Sequence, residues 1–194
     1  AVNLPSTDYT EINYGTIVYG KTALILKCLE AYLGKAVFDS AMQQYYETWK
    51  FKHPQPEDFR NSMENTSGKK LNWFFDELLA TSHKADYTIT RVTKDKNYTV
   101  EIKNKGGLQS PFLLAGLKSD SVIASTWVEG FSGKQSIQLP AGDYDLIKID
   151  PYKKLPEINR ANNTYRMRSI FPKTEPLKLQ YFAALENPDR TQMF

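Results

Sequence analysis

The chain has 194 residues, of which 41% are hydrophobic and 24% are charged, a balance that permits packed cores. Its net charge is only +3, from 25 basic and 22 acidic residues mixed along the chain, so a nucleic-acid partner is not expected. The longest apolar run, Thr22–Leu33, is interrupted by Lys27 and Glu30 and is too short to span a bilayer.

Cys28 is the only cysteine of the sequence and lies among Leu24, Ile25 and Leu29. It has no partner for an internal disulfide, and a small buried hydrophobe is its expected role. One thiol does not decide the compartment. We expect a soluble protein and leave its location open, with the bacterial periplasm or cell envelope as one candidate.

Residues 16–80 have helical periodicity. The first helix is predicted to begin with Thr16 as its cap and to end before Gly34, which suits a left-handed C-terminal position. Projected at about 100° per residue, one face of this helix is apolar. Its members are Ile17, Val18, Leu24, Ile25, Cys28, Leu29 and Tyr32.

Three further helices are predicted. The second repeats bulky residues at intervals of three and four, namely Phe38, Met42, Tyr45 and Trp49. The third begins at Pro56, with Glu57 and Asp58 at the positive end of its dipole. The fourth is amphipathic through Leu71, Phe74, Phe75, Leu78 and Leu79. Four short helices with short links predict a compact bundle, whose aromatic side chains are expected to form core rather than a ligand cage.

The periodicity changes to two from Tyr87 onward, as in half-buried strands. Turn signals separate the segments Tyr98–Ile102, Phe112–Leu117, Val122–Val128, Ser136–Leu139 and Tyr144–Ile149. This spacing predicts a small antiparallel β-sandwich of immunoglobulin-like type, and therefore an α+β fold. We predict a helical domain over residues 1–84, the sandwich over 85–172, and a weakly patterned tail over 173–194 that leads into a missing downstream region.

Four short motifs occur in a fixed order within the first 84 residues. They are Val18-Tyr19-Gly20-Lys21, then His53-Pro54-Gln55-Pro56-Glu57-Asp58-Phe59, then Ser67-Gly68, and finally Trp73-Phe74-Phe75-Asp76. This series resembles the helical half of zinc aminopeptidases of the membrane-alanyl-aminopeptidase (gluzincin, thermolysin-like) family. A weaker similarity continues through Ile149-Asp150-Pro151 and Glu157-x-Asn159-Arg160.

The resemblance implies that the intact protein is a zinc metallopeptidase that hydrolyses peptide substrates with metal-activated water, removing N-terminal residues. The H-E-x-x-H zinc motif of that family is absent from this sequence. His53 and His83 are too far apart and have no second ligand at helical spacing, so we predict no metal site here. The zinc would belong to an upstream catalytic domain of the same chain, and the fragment alone is expected to be inactive.

Tyr19 is the predicted catalytic residue, because the resemblance places its hydroxyl toward the substrate carbonyl. Attack of water on a peptide carbonyl leaves negative charge on the oxygen, and a phenol keeps its proton at neutral pH and can donate a hydrogen bond to it. The family pattern is Tyr-Glu-Lys-Gly, whereas this chain has Gly20 and Thr22 at the second and fourth positions. The departures affect the expected local substrate contacts, and the substrate-binding residues stay unidentified.

Lys21 is predicted to support Tyr19 indirectly, without a catalytic role of its own. It falls within the apolar face of its own helix, where an ammonium needs a partner. Either a carboxylate meets it or the helix start borders a polar cleft, and a lysine that extends its head to the surface is a close rival.

Two other classes of function are open to this sequence. The first is a non-catalytic binding or scaffolding module derived from the same family, because a fold does not dictate its function. The second is a free-standing two-domain interaction protein with no large exposed apolar patch. A fragment of a peptidase should instead leave a bare surface near Tyr14, Ile17 and Tyr19.

Overall fold

The structure is a computed structural model that describes residue 2 and residues 4–167. The predicted tail, 173–194, and the last residues of the predicted sandwich lie outside the described residues. A short 3₁₀ turn, Ser6–Asp8, precedes the first long helix.

The first helix is continuous but changes its winding. It consists of an α-helical turn at Glu11–Asn13, a π-helix at Tyr14–Lys21 and an α-helix at Thr22–Leu33. The predicted start at Thr16 is wrong, because the Thr10 hydroxyl caps the helix by accepting from the Asn13 N–H (3.4 Å). Thr16 lies inside the helix and donates to the Ile12 carbonyl. Apolar periodicity missed this first part because it lies largely on the surface.

The first helix ends at Gly34, as predicted, with a φ of +82° that favours glycine. Its buried residues are Ile25, Cys28, Leu29, Tyr32 and Leu33. Leu24 was predicted on this buried face but is 61% exposed. It lies at the border of the packed face, where periodicity alone does not show how wide the contact is.

The other helices before the strands are Lys35–Trp49, Pro56–Ser67 and a π-helix at Trp73–Leu79, and a 3₁₀ turn at Arg160–Asn162 follows later in the chain. The third begins at Pro56 as predicted, and Gln55 and Asp58 form a reciprocal capping box at its start. Gly68 ends it in the left-handed conformation (φ +67°). Of the predicted core aromatics of the bundle, Trp73 and Phe74 are buried, whereas the aromatics of the second helix are only half-buried.

Within the part of the chain that the structure describes, seven strands form two antiparallel sheets. They are β1 Tyr87–Lys94, β2 Tyr98–Asn104, β3 Phe112–Lys118, β4 Ser121–Val128, β5 Lys134–Leu139, β6 Leu146–Ile149 and β7 Thr164–Arg166. One sheet has the order β1-β2-β5 and the other β4-β3-β6-β7. The α+β class with an antiparallel sandwich is therefore confirmed. Strand β7 was not predicted, because three residues are too few to show alternation.

Tyr144 joins the two sheets at the corner between β5 and β6. Its hydroxyl donates to the Pro140 carbonyl four residues upstream (2.7 Å). This is the tyrosine corner of immunoglobulin-like sandwiches. Gly116 and Gly142 leave room for its ring, since a Cβ on either would lie within 2.6 Å of ring atoms.

Helices and sheets share one buried cluster, which includes Leu78, Ala85 and Leu108. Tyr32 is a second link between the helices and the sheets. Its ring packs edge-on against Trp73 and against Trp127 of β4, with ring centroids 5.4 Å and 5.2 Å apart. Its hydroxyl donates to Glu129 Oε1 (3.0 Å), and burial followed by this bond raises the pKa of Tyr32 to about 12. The division into domains at residue 84 stays a prediction.

Candidate functional site

Tyr19 lies on the π-helical part of the first helix, and its side chain is 66% exposed. The ring is therefore not sealed inside the bundle, and its hydroxyl is accessible to a ligand. π-helical turns are rare and occur frequently at functional sites.

Three tyrosines form a ladder that ends at Tyr19. The rings of Tyr9 and Tyr14 are 6.1 Å apart at 71°, and those of Tyr14 and Tyr19 are 5.8 Å apart at 79°. The Tyr9 hydroxyl donates to the Val2 carbonyl (2.9 Å). Hydrogen bonding with Tyr19 is the largest cause that raises the pKa of Tyr14. The sequence predicted Tyr14 only as part of a bare surface, although the spacing of five between the three tyrosines was visible.

Lys21 follows Tyr19 by two residues but points toward the end of the fourth helix. Its Nζ donates to the main-chain carbonyl of Thr81 (3.3 Å), rather than to the carboxylate considered from the sequence. Partial burial lowers the pKa of Lys21. This contact ties the first helix to the segment that leads into the sandwich.

A cavity of about 550 Å³ lies between the first helix and the sandwich. Its walls include Gly20, Lys21, Leu24, Leu108 and Ile158, and Tyr19 is not among its lining residues. The cavity and the Tyr19 hydroxyl are therefore separate features. Residues far apart in sequence build it, so periodicity could not predict it.

The two histidines do not form a metal site. His83 is exposed and its ring lies beside Gly107, with which it lines the seam between helices and sheets. Within residue 2 and residues 4–167, no group of three His, Cys, Asp or Glu side chains is arranged to hold a metal ion. The described residues therefore do not fit a catalytic zinc. Burial raises the pKa of the Cys28 thiol to about 12, which agrees with a structural role.

A surface that we call the tyrosine face consists of Tyr14, Gly15, Tyr19 and Gly20. All four are exposed, and an added Cβ on either glycine would meet no atom within 4 Å. The neighbouring Ile12 is 82% exposed. An apolar and aromatic surface of this kind is typical of an interaction site. Ile17, also expected there, is half-buried.

A loop after β6 fastens the sandwich to the end of the helical part. The Ile158 N–H donates to the Ala85 carbonyl (3.1 Å), and Glu157 Oε1 accepts from the Tyr87 N–H (3.1 Å). Burial raises the pKa of Glu157 to about 7 in spite of that hydrogen bond.

Glu157 predicts a pH-dependent stability. Its pKa of about 7 in the folded chain lies above the ordinary glutamate value of about 4.3, so between these values the folded state holds a proton that the unfolded chain has lost. The contribution of Glu157 to the free energy of unfolding therefore falls as pH rises through this window. We expect Glu157→Gln to reduce that fall, as measured by urea unfolding at pH 5 and pH 8. If the free energy of unfolding falls by the same amount between pH 5 and pH 8 in wild type and in Glu157→Gln, the assignment is contradicted.

No helix in the described part of the chain is long and apolar enough to cross a membrane. The match to a family model concerns the helical segment that carries the four motifs. Residues 2–78 match the family model described as the peptidase family M1 domain.

Three curated relatives share part of this sequence. Probable aminopeptidase 2 of Sulfurisphaera tokodaii is 39% identical over 70 residues, which is 36% of this chain and 9% of that protein. Tricorn protease-interacting factor F2 of Thermoplasma volcanium is 29% identical over 96 residues, 50% of this chain and 12% of that protein. Aminopeptidase N of Streptomyces lividans is 30% identical over 80 residues, which is 41% of this chain and 9% of that protein. The chain thus matches only about a tenth of each relative's length.

The fold is also similar to part of a solved structure. The crystal structure of Legionella pneumophila aminopeptidase A in complex with aspartic acid aligns with a TM-score of 0.59 and 22% identity. The alignment covers 77% of this chain and 18% of that chain, and at this identity it establishes the fold alone. The segment 2–78 provides the match in sequence, and this segment is similar to the peptidase family M1 domain, as the motifs around Tyr19 and Trp73 predicted.

Proposed function

We propose that this chain is part of a zinc metallopeptidase that acts as an aminopeptidase, and that it supplies an oxyanion-stabilising tyrosine and one wall of the active-site cleft. The observation that carries the proposal is the position of Tyr19, exposed on the π-helical turn within the segment that matches family M1. Zinc, held by residues other than those described here, would supply the activated water.

The contribution of this chain is a hydrogen-bond donor. The Tyr19 hydroxyl would donate to the substrate's carbonyl oxygen as negative charge develops on it. One such donor in a site that excludes water stabilises the transition state by about 2.7–4 kcal/mol. Because Tyr19 is 66% exposed in this chain, the dry environment has to come from the surface that covers the tyrosine face.

Lys21 supports Tyr19 through the backbone. Its bond to the Thr81 carbonyl anchors the last residue of the π-helical part, and so limits movement of the turn that presents Tyr19. In this proposal Lys21 touches no substrate and acts by positioning.

The two exposed glycines, Gly15 and Gly20, support the presence of a second surface that covers the tyrosine face. Glycine inside an exposed helix costs about 1 kcal/mol relative to alanine, and neither glycine is required by a close contact within the described chain. Close approach of another backbone or of a substrate explains both residues. An upstream catalytic domain of the same polypeptide is the partner that we propose for this surface.

The second candidate is a non-catalytic binding module, which the same exposed aromatic surface also favours. One relative, tricorn protease-interacting factor F2 of Thermoplasma volcanium, is named for an interaction with a protease. A module of this kind would use the tyrosine face for binding and would not depend on the Tyr19 hydroxyl for hydrolysis.

Removal of metal from the intact protein separates the two candidates. We expect the intact protein to release the N-terminal residue from aminoacyl-p-nitroanilides, to lose this activity after dialysis against a chelator, and to regain it with Zn²⁺. The 194-residue chain alone should neither hydrolyse the substrate nor retain zinc after gel filtration. An intact protein that is inert with Zn²⁺ would favour the binding module, and zinc-dependent turnover by the chain alone would overturn the proposed division of roles.

A further inference from the structure

We propose that the cavity of about 550 Å³ between the first helix and the sandwich is a binding site for a small carboxylate anion with an apolar body, of the fatty-acid type. The ammonium groups of Lys21 and Lys84 would pair with the carboxylate, and the apolar walls would cover the rest of the ligand. The inference does not rest on the proposed function, because Tyr19 does not line this cavity and the ligand is not the peptide substrate.

Main-chain hydrogen bonds fix two walls of the cavity. Both walls meet the seam between helices and sheets, residues 82–85. The Leu108 N–H donates to the Lys84 carbonyl (3.2 Å), and the Ile158 N–H donates to the Ala85 carbonyl (3.1 Å). Ligand sites are usually largely pre-formed, and walls tied by main-chain bonds agree with that property.

Apolar side chains dominate the walls. Leu24, Leu108 and Ile158 are among them, and the cavity volume lies within the range of about 300–1,000 Å³ that is typical of ligand sites. Leu24 and Ile158 are 61% and 60% exposed. A ligand with an apolar body would remove part of this surface from water, which stabilises the complex in proportion to the area buried.

The charges in the walls favour an anion. Among the described residues that line the cavity there is no Asp or Glu, whereas Lys21, His83 and Lys84 are present. The Lys21 ammonium bonds to the Thr81 carbonyl, which carries no full charge, and partial burial lowers the pKa of Lys21. A carboxylate beside this ammonium would compensate for the water that it has lost.

The acidic residues next to the walls in sequence are engaged elsewhere. Glu77 and Glu157 each accept from a main-chain N–H, at 2.9 and 3.1 Å, and Asp86 accepts from the side-chain amide of Asn162 at 3.0 Å. None of the three is among the residues that line the cavity. They therefore do not compete with a ligand for the two ammonium groups in the walls.

Together these features select the class of ligand. Inorganic phosphate would leave the apolar walls uncovered, and an aliphatic alcohol would not pair with the ammonium groups. A single carboxylate on an aliphatic chain satisfies both parts of the cavity.

Octanoate is the probe for the 194-residue chain, with octanol and octylamine as controls that carry the same alkyl chain. In ¹H–¹⁵N NMR titrations we expect octanoate to shift the amide signals of Leu24, Leu108 and Ile158 until they saturate. At equal concentration octanol should give smaller shifts, and octylamine the smallest. Absence of saturable shifts at the cavity, or equal shifts with all three probes, would overturn the proposal.

Removal of one positive charge measures its share of the affinity. Lys84→Met keeps most of the side chain, and we expect the Kd for octanoate to rise about three- to tenfold, the range of one net hydrogen bond. Lys35→Met is the matched control, because Lys35 lies on the second helix, is 76% exposed and does not line the cavity. A Kd that the two variants change equally would contradict the role of Lys84.

A pair of variants at Ile158 separates charge from apolar contact. Ile158→Glu and Ile158→Gln both remove the apolar side chain, but only the first adds a negative charge. Because Ile158 is 60% exposed, both should fold, and thermal unfolding checks this. We expect Ile158→Glu to bind octanoate about tenfold more weakly than Ile158→Gln. Equal affinities would show that the carboxylate does not lie in the cavity, and the proposal would fail.

Equilibrium dialysis of ¹⁴C-octanoate extends the test to the intact protein. Prior dialysis against a chelator keeps a metal from offering a second site for the carboxylate. Octanoate binding that Ile158→Glu weakens supports the site in the whole protein. No binding, or binding that Ile158→Glu leaves unchanged, overturns it. Since no hydrolysis is measured, failure of this inference leaves the proposed function of Tyr19 untouched, and the kinetics of Tyr19→Phe do not bear on the cavity.

Discussion

Replacing Tyr19 by phenylalanine in the intact protein is expected to lower kcat by about 10²–10³ while KM changes little. The substitution removes a single O–H and keeps the ring, so the contact with Tyr14 at 5.8 Å is preserved. Loss of one oxyanion donor in a site that excludes water has an effect of this size. Because the donor acts on charge that develops only in the transition state, substrate binding in the ground state is largely unaffected.

The measurement is steady-state hydrolysis of an aminoacyl-p-nitroanilide by wild type and Tyr19→Phe. Thermal unfolding of both proteins is the necessary companion, and we expect their Tm values to agree since the side chain is 66% exposed. Tyr46→Phe controls for the loss of a phenol elsewhere. A decrease of only a few-fold would mean that Tyr19 is a surface residue with no part in the reaction.

Replacing Asp150 by alanine is expected to have the largest effect on stability, about 3–5 kcal/mol, because it leaves the Lys154 N–H and the buried Leu155 N–H without an acceptor and also removes the ion-pair partner of Arg160. Asp150 is 5% exposed. Its two carboxylate oxygens accept from the Lys154 and Leu155 N–H groups at 2.8 and 2.9 Å, and from Arg160 Nη1 at 2.8 Å. Arg160 also donates to the Leu155 carbonyl.

The loop that Asp150 organises carries the connection between the sandwich and residues 85–87. A loss of 3–5 kcal/mol corresponds to a decrease in Tm of roughly 6–20 °C for a chain of this size. Asp39→Ala is the matched control, since Asp39 forms an exposed ion pair with Lys35 at 2.6 Å that should contribute less than about 0.5 kcal/mol. Equal Tm decreases for the two variants would show that the Asp150 network contributes no more than a surface pair.

Local chemistry made several parts of the fold predictable. Gly34 and Gly68 end helices because each adopts a positive φ that other residues avoid, and Pro56 begins a helix because it has no N–H to satisfy there. The alternation in β2 predicted a strand because its even-numbered residues Tyr98, Val100 and Ile102 are buried. These features depend on neighbours within a few residues.

The start of the first helix, in contrast, was predicted wrongly. Its opening turns are largely solvent-exposed, so no apolar periodicity marks Thr10 as the cap. The π-helical winding was equally invisible to a search at 100° per residue. The spacing of Tyr9, Tyr14 and Tyr19 becomes meaningful only once the winding is known.

The sequence by itself determined the similarity of residues 2–78 to the peptidase family M1 domain, the order of helices before strands, and Tyr19 as the residue with a chemical role to test. Only the tertiary structure decided that Lys21 bonds to the Thr81 carbonyl, that the Tyr144 hydroxyl closes the sandwich corner, and that Tyr14 lies against Tyr19. Motifs and periodicity record which residue types occur at which spacing along the chain. The direction in which a side chain points, and the carbonyl or ring that it meets, depend on backbone winding and on contacts between segments that the spacing does not encode.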